Sequence, residues 1–225
     1  MQAIAAENNL AETAYLVRNG GSFHLRWFTP ACEVDLCGHA TLASAFVLFH
    51  ELNEPGDRIR FDTQSGELIV RRQGDLLAMD FPSRPPAPVE PDPVLVQAMG
   101  GSPVEILAAR DYLVRYTSEE DVAQLSPDLN ALSRIDRFAV IATAPGKHCD
   151  FVSRFFAPAR GVPEDPVTGS AHCTLIPYWA KQLGKTTLRA RQISRRGGDV
   201  FCALLGERVE IAGRAALFLR GRITI

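Results

Sequence analysis

The chain has 225 residues, of which 46% are hydrophobic and 22% charged, with a formal net charge of −2. These are soluble globular proportions, and the length allows one large domain or two small ones, each with its own core. Acids outnumber bases 26 to 24, which gives no footprint for nucleic acid, and no run of about 18 apolar residues is present to span a membrane.

Residues 2–10 read as a short helix, 14–18 (AYLVR) as a strand, and 22–29 (SFHLRWFT) as a second, aromatic-rich strand. A turn-rich connection, PACEVDLCGH, leads to residues 40–52, ATLASAFVLFHEL. These are apolar nearly all round, the pattern of a helix buried on every side. RIRFDT, ELIVRR and LLAMDFP follow as strands. Residues 82–93 hold six prolines, which removes helix and central strand alike and marks a linker. The second half continues with a helix at 94–99, strands at 104–108 and 111–116, a short helix at 119–124, and strands at 137–143 and 151–157. EDPVTGSAHC (164–173) then opens an apolar helix running to Leu183. TLRARQIS, DVFCALL, ERVEIAG and AALFLRGRITI close the chain as strands.

The halves repeat. RWFTPA (26–31) matches RFFAPA (154–159) at an offset of 128 residues, and Gly38 matches Gly169 at 131. An acidic connection precedes each glycine, an apolar helix follows it, and SGELIV and GGDVFC start the next strands alike. Agreement in this order indicates an internal duplication. It predicts an α+β protein of two pseudo-symmetric domains, 1–85 and 86–225, with the last strand able to return to the first. Each domain would be a curved, mostly antiparallel sheet or barrel wrapped around a central helix.

Pockets favour domain interfaces, and helix N-termini bind carboxylates through free N–H groups and partial positive charge. The side chains at the two starts are Cys37, His39 and Thr41, then Asp165, Thr168, Ser170 and His172. Taken singly, Thr168 or Ser170 is a cap, Asp165 a dipole partner, Cys37 a buried thiol and His39 a histidine bonded to backbone. Their placement at the same point of both repeats points instead to a site. The five cysteines, Cys32, Cys37, Cys149, Cys173 and Cys202, have no zinc-type spacing. MQAIAAENNL lacks the pattern of an export signal, so free thiols in the cytoplasm are expected.

MQAIAAENNLAETAYLV, RWFTPACEVDLCGHATLASAFVL, DTQSGELIV, SRFFAPARGVPEDPVTGSAHCTLIPYWAKQLGK and QISRRGG together resemble the phenazine-biosynthesis-like (PhzF-type) proteins, which share the diaminopimelate epimerase fold. The resemblance implies an isomerase that shifts a proton without metal or cofactor, acting on a small carboxylate-bearing substrate, as a homodimer, with neither membrane nor nucleic acid as partner. It places the catalytic glutamate on Glu12, with His39 and Asp165 assisting, and substrate contacts on Cys37, Gly38, Ala40, Thr168, Gly169 and Ser170. One carboxyl can both remove and return a proton if burial raises its pKa, and Leu10, Ala14 and Tyr15 flank Glu12. The epimerases and racemases of this fold use a cysteine at each helix start. Here Cys37 has Thr168 as its counterpart, which disfavours a two-thiol reaction and leaves open a racemase with Cys37 as one base. A non-catalytic binding protein is a further alternative. Family members usually begin with an extra strand and a Gly-Asn-Pro turn, so an N-terminally extended form is expected to be the more stable.

Overall fold

The computed structural model describes residues 1–224. The chain divides into two compact units, one formed by Met1–Asp80 with the C-terminal residues from Ala212, the other by Phe81–Ile211. The expected division at 85/86 lies inside the proline-rich stretch, and the units part ahead of it.

In the first unit α1 (Gln2–Asn8) ends on Asn9, left-handed at φ 48°, a conformation that asparagine tolerates. β1 (Thr13–Asn19) and β2 (Ser22–Phe28) form a hairpin whose Gly20 sits at φ 59°. Two loop residues with positive φ available are what a tight hairpin requires. β3 (Glu33–Val34) adds briefly to β2, and α2 (Gly38–Phe46) follows. α2 passes into a wide π turn at Val47–Glu51 instead of running on to 52 as α-helix. β4 (Arg58–Thr63) returns parallel to β2, and β5 (Gly66–Gln73) and β6 (Leu76–Pro82) extend the sheet antiparallel.

The second unit opens with β7 (Ala87–Pro88), α3 (Pro93–Met99), β8 (Glu105–Ala108) and β9 (Tyr112–Arg115). The two residues of β7 pair with β8, so the proline-rich stretch carries an edge strand, the place in a sheet where proline is tolerated. Two short helices, α4 (Glu119–Ala123) and α5 (Leu129–Leu132), precede β10 (Val140–Pro145) and β11 (Phe151–Phe156). α6 (Gly169–Leu183) leads to β12 (Thr187–Gln192), β13 (Gly198–Leu205) and β14 (Arg208–Gly213).

The duplication is visible in the pairing. β1–β2–α2–β4–β5–β6 and β10–β11–α6–β12–β13–β14 run in the same order, and in each the helix bridges a parallel pair, β2/β4 and β11/β12. A parallel pair needs a crossover, and the helix is that crossover. β9/β10 is also parallel, while β1/β2, β4/β5, β5/β6, β8/β9, β10/β11 and β12/β13 are antiparallel, so the pairing is mostly antiparallel.

The two crossover helices differ in burial. Every residue of α6 from Ala171 to Ala180 is buried, as its all-round apolar pattern predicts. Pro177 in its middle cannot donate to the Cys173 carbonyl, and the Arg84 N–H takes that carbonyl at 2.8 Å. Trp179 stacks on Phe151 at 5.6 Å and donates to Thr143 Oγ1 at 2.9 Å. α2 is not enclosed: it packs on β1 and β5, while Ala43, and His50 in the π turn that follows, face solvent. Its apolar pattern overstated its burial because three of its residues are alanine, small enough to sit on either side of the boundary. The expected final strand at 215–225 does not form over its described residues, 215–224, and residue 225 lies outside them. Beyond Gly213 the described residues pair with no strand, and Phe218 is 99% and Leu219 77% exposed. An alternating pattern makes a strand only where a neighbouring backbone receives it.

This contrast is testable. Leu175→Ala, in the fully buried α6, should cost about 2–5 kcal/mol in urea unfolding, whereas Ala43→Ser on α2 should stay within about 0.5 kcal/mol.

Candidate active site

In the first unit the chain brings Glu12, at the foot of β1, against the start of α2. Cys37 takes the N-cap position with extended backbone (φ −142°), followed by Gly38 and His39 in the first turn. Glu12 Oε2 lies 3.0 Å from His39 Nε2, and Cys37 Sγ is 3.8 Å from His39 Nδ1 and 3.9 Å from Nε2. By distance Glu12 and His39 are an ion pair. The ring N–H is not aimed at the carboxylate, however, so buried Oε2 accepts no well-directed hydrogen bond. Burial opposes charge on His39, but the Cys37 and Glu12 side chains beside it outweigh that and hold its pKa well above the usual 6.5. His39 is therefore a proton carrier with a carboxylate at its edge.

The Glu12 side chain is 15% exposed, yet the flanking Leu10, expected to enclose it, is 62% exposed. The enclosure comes from the α2 start. Ala40 is buried, and its carbonyl accepts from Ser44 Oγ at 2.7 Å. Thr41 is fully buried and turns back to donate from Oγ1 to the Cys37 carbonyl at 2.6 Å.

In the second unit Thr168 is the N-cap residue of α6, with Gly169 and Ser170 next. Its hydroxyl does not cap the helix, nor does that of Ser170. Thr168 Oγ1 donates to Asp165 Oδ2, and the Thr168 N–H donates to Gln192 Oε1 at 2.8 Å. Gln192 Nε2 in turn donates to the Asp165 carbonyl at 2.7 Å and to Thr168 Oγ1 at 3.1 Å. Ser170 Oγ accepts from Arg110 Nη2 at 3.1 Å, and Arg110 is held bidentate by Asp111. Gln192 and Arg110 were not singled out by sequence reasoning. The fully buried Gln192 lies in the stretch RQIS at the end of β12, the one polar residue that this inward-facing register buries. Only the fold reveals that it faces the α6 start.

His172, grouped with the helix-start side chains, points into the core. It is wholly buried, and its Nδ1 is 2.8 Å from the Thr168 carbonyl. A carbonyl only accepts, so Nδ1 carries the proton, which leaves Nε2 buried without a partner. Burial pushes this imidazole down to about 4, against the helping bond to Thr168. The folded value lies below the ordinary 6.5, so the unfolded chain binds the extra proton first as pH falls. Stability is whole above pH 6.5 and drains away toward pH 4. We predict a loss on the order of 2–3 kcal/mol from this residue across that window. His172→Phe should flatten the same part of a urea-midpoint-against-pH profile.

The chain as a whole resembles known proteins. The family model described as phenazine biosynthesis-like protein matches residues 1–221. A Pseudomonas aeruginosa protein named as an uncharacterized isomerase is 54% identical, with 100% of this chain and 87% of that protein covered. A Halalkalibacterium halodurans protein, also named as an uncharacterized isomerase, is 42% identical over 100% of this chain and 87% of its own length. The crystal structure of an Enterococcus faecalis protein of the PhzF family superposes with a TM-score of 0.97 at 46% identity, covering 100% of this chain and 86% of that one.

Proposed function

The chain belongs to the phenazine biosynthesis-like protein family and is an isomerase-type enzyme, and from that premise we propose that it moves a proton within a small carboxylate-bearing substrate, using Glu12 as the base and needing neither metal nor organic cofactor. The observation that carries this reading is the 3.0 Å contact between the buried Glu12 carboxylate and His39. Glu12 takes the proton from carbon, the electron pair passes into the substrate's conjugated system, and the same carboxyl returns the proton at a second carbon. His39, held protonated by its neighbours, offers positive charge where negative charge develops. The α2 start supports binding of a substrate carboxylate: Cys37 makes no side-chain cap bond, so no side chain of the N-cap residue occupies the N–H groups of the first turn. In the second unit Asp165, Gly169 and Ser170 are candidates for separate assignment, since Asp165 already accepts from Thr168.

A second reading follows from Cys37 Sγ lying within 4 Å of both His39 nitrogens, namely an epimerase in which the thiolate is one base. Deuterium uptake from solvent into a panel of small carboxylates separates the two. Glu12→Gln should lower exchange by about 100-fold or more while leaving the melting temperature near wild type. Exchange that survives Glu12→Gln and disappears in Cys37→Ser would replace the first reading with the second.

A further inference from the structure

Glu12, Cys37 and His39 bring one carboxylate oxygen, one sulfur and one imidazole nitrogen within 4.8 Å of one another. Two ligands on a tetrahedral zinc ion, with bonds of about 2.0–2.3 Å, sit roughly 3.3–3.6 Å apart. Here oxygen to Nε2 is 3.0 Å and sulfur to Nε2 is 3.9 Å, on either side of that separation. The carboxylate oxygen and the sulfur lie within 4.8 Å of each other, so these two side chains must rotate inward for all three donors to share one centre. The donors sit at the ends of regular elements: Cys37 is the N-cap residue of α2, His39 is in its first turn, and Glu12 immediately precedes β1. Glu12 Oε2 is buried with no directed hydrogen bond, an acceptor that a cation would satisfy.

We propose that Glu12, Cys37 and His39 form a capture site for a thiophilic divalent cation, of which zinc is the type, and that its binding silences the enzyme. The mixed sulfur, nitrogen and oxygen set selects such ions over magnesium or calcium, which take oxygen ligands. Binding displaces the proton on the His39 nitrogen and that of the Cys37 thiol to solvent, and the resulting thiolate with the Glu12 carboxylate matches the double charge of the ion. His39, with a side chain 35% exposed, gives the ion a way in, and three protein ligands leave a fourth position for water or a carboxylate. The silencing half rests on the proton-transfer reading above: a metal bond to Glu12 occupies the lone pair that would take the proton. The capture half stands without it.

Cobalt(II) titrated into metal-free protein is the test, because a cysteine ligand gives a thiolate-to-cobalt charge-transfer band. The band should appear at one equivalent, be bleached by zinc, and persist in Cys32→Ser, the exposed thiol. Cys37→Ser should remove it and weaken zinc binding by at least about tenfold, the least that loss of an outer-shell partner costs. As a second readout, zinc chloride should raise the melting temperature of the wild type and not of Cys37→Ser, and a chelator should restore any deuterium exchange that zinc abolishes. No band, or a band unchanged in Cys37→Ser, overturns the capture site. A band in a protein whose exchange ignores Glu12→Gln keeps the site and sinks the proton-transfer reading.

Discussion

Each crossover helix starts from a connection that is tied back to its own strand by one bidentate arginine–glutamate pair. Arg26 on β2 grips Glu33 with Nε and Nη2, both at 2.7 Å. Arg154 on β11 grips Glu164 at 2.7 and 2.9 Å. In both, the guanidinium also lies over the phenylalanine two residues on, 5.1 Å from Phe28 and 4.9 Å from Phe156. The pairs add side-chain ties to connections whose backbone contacts with the preceding strand are short, a two-residue ladder at Glu33–Val34 and a single bridge between Ala157 and Val162. A bidentate fork fixes the relative position of its two side chains, which a single hydrogen bond does not. The Arg154 pair is the stronger anchor, for that side chain is 13% exposed and also donates to the Leu125 carbonyl at 2.7 Å. The three residues added in the second copy fall between arginine and glutamate, and the pair forms all the same.

Downstream of this shared clamp the two starts diverge in chemistry. The residue four places beyond each N-cap bonds back to the N-cap carbonyl, Thr41 to Cys37 and His172 to Thr168. Backbone form is therefore common to both. The first start then presents a thiol, an imidazole and, from β1, a carboxylate. The second presents the Thr168 hydroxyl bonded to the Asp165 carboxylate, with Gln192 tied to that hydroxyl and to the backbone of both residues. On the proposed reading the first repeat carries the proton-transfer groups, while in the second Thr168, Asp165 and Gln192 bond to one another. Duplication followed by unequal use of the copies describes this diaminopimelate epimerase-like fold better than a symmetric pair of bases.

Much of this is legible in the residues, and the exceptions have physical reasons. The paired RWFTPA and RFFAPA segments and the glycines at 38 and 169 located both helix starts, because strand-to-helix turns are written locally. Glu12 was reached only through family resemblance, as a glutamate before a strand has no local signature. Gln192 and Arg110 were missed because their partners lie 24 and 60 residues away. The all-round burial of α6 could be read from its apolar run, and the partial exposure of α2 could not, since alanine carries too little hydrophobic signal to tell a face from an edge. The tail beyond Gly213 shows the converse, an alternating pattern with no partner to pair it.

The account turns on the arginine–glutamate clamp holding each helix start in place, and amide hydrogen exchange reads that directly. Arg154→Lys removes the fork while keeping the charge. Exchange should accelerate across residues 164–172 and remain at the wild-type rate across 33–41, with Arg26→Lys giving the mirror result. Unchanged exchange at the helix start in both variants would contradict the account. So would acceleration spread evenly through the chain, which would mean that the pairs add general stability without positioning either start.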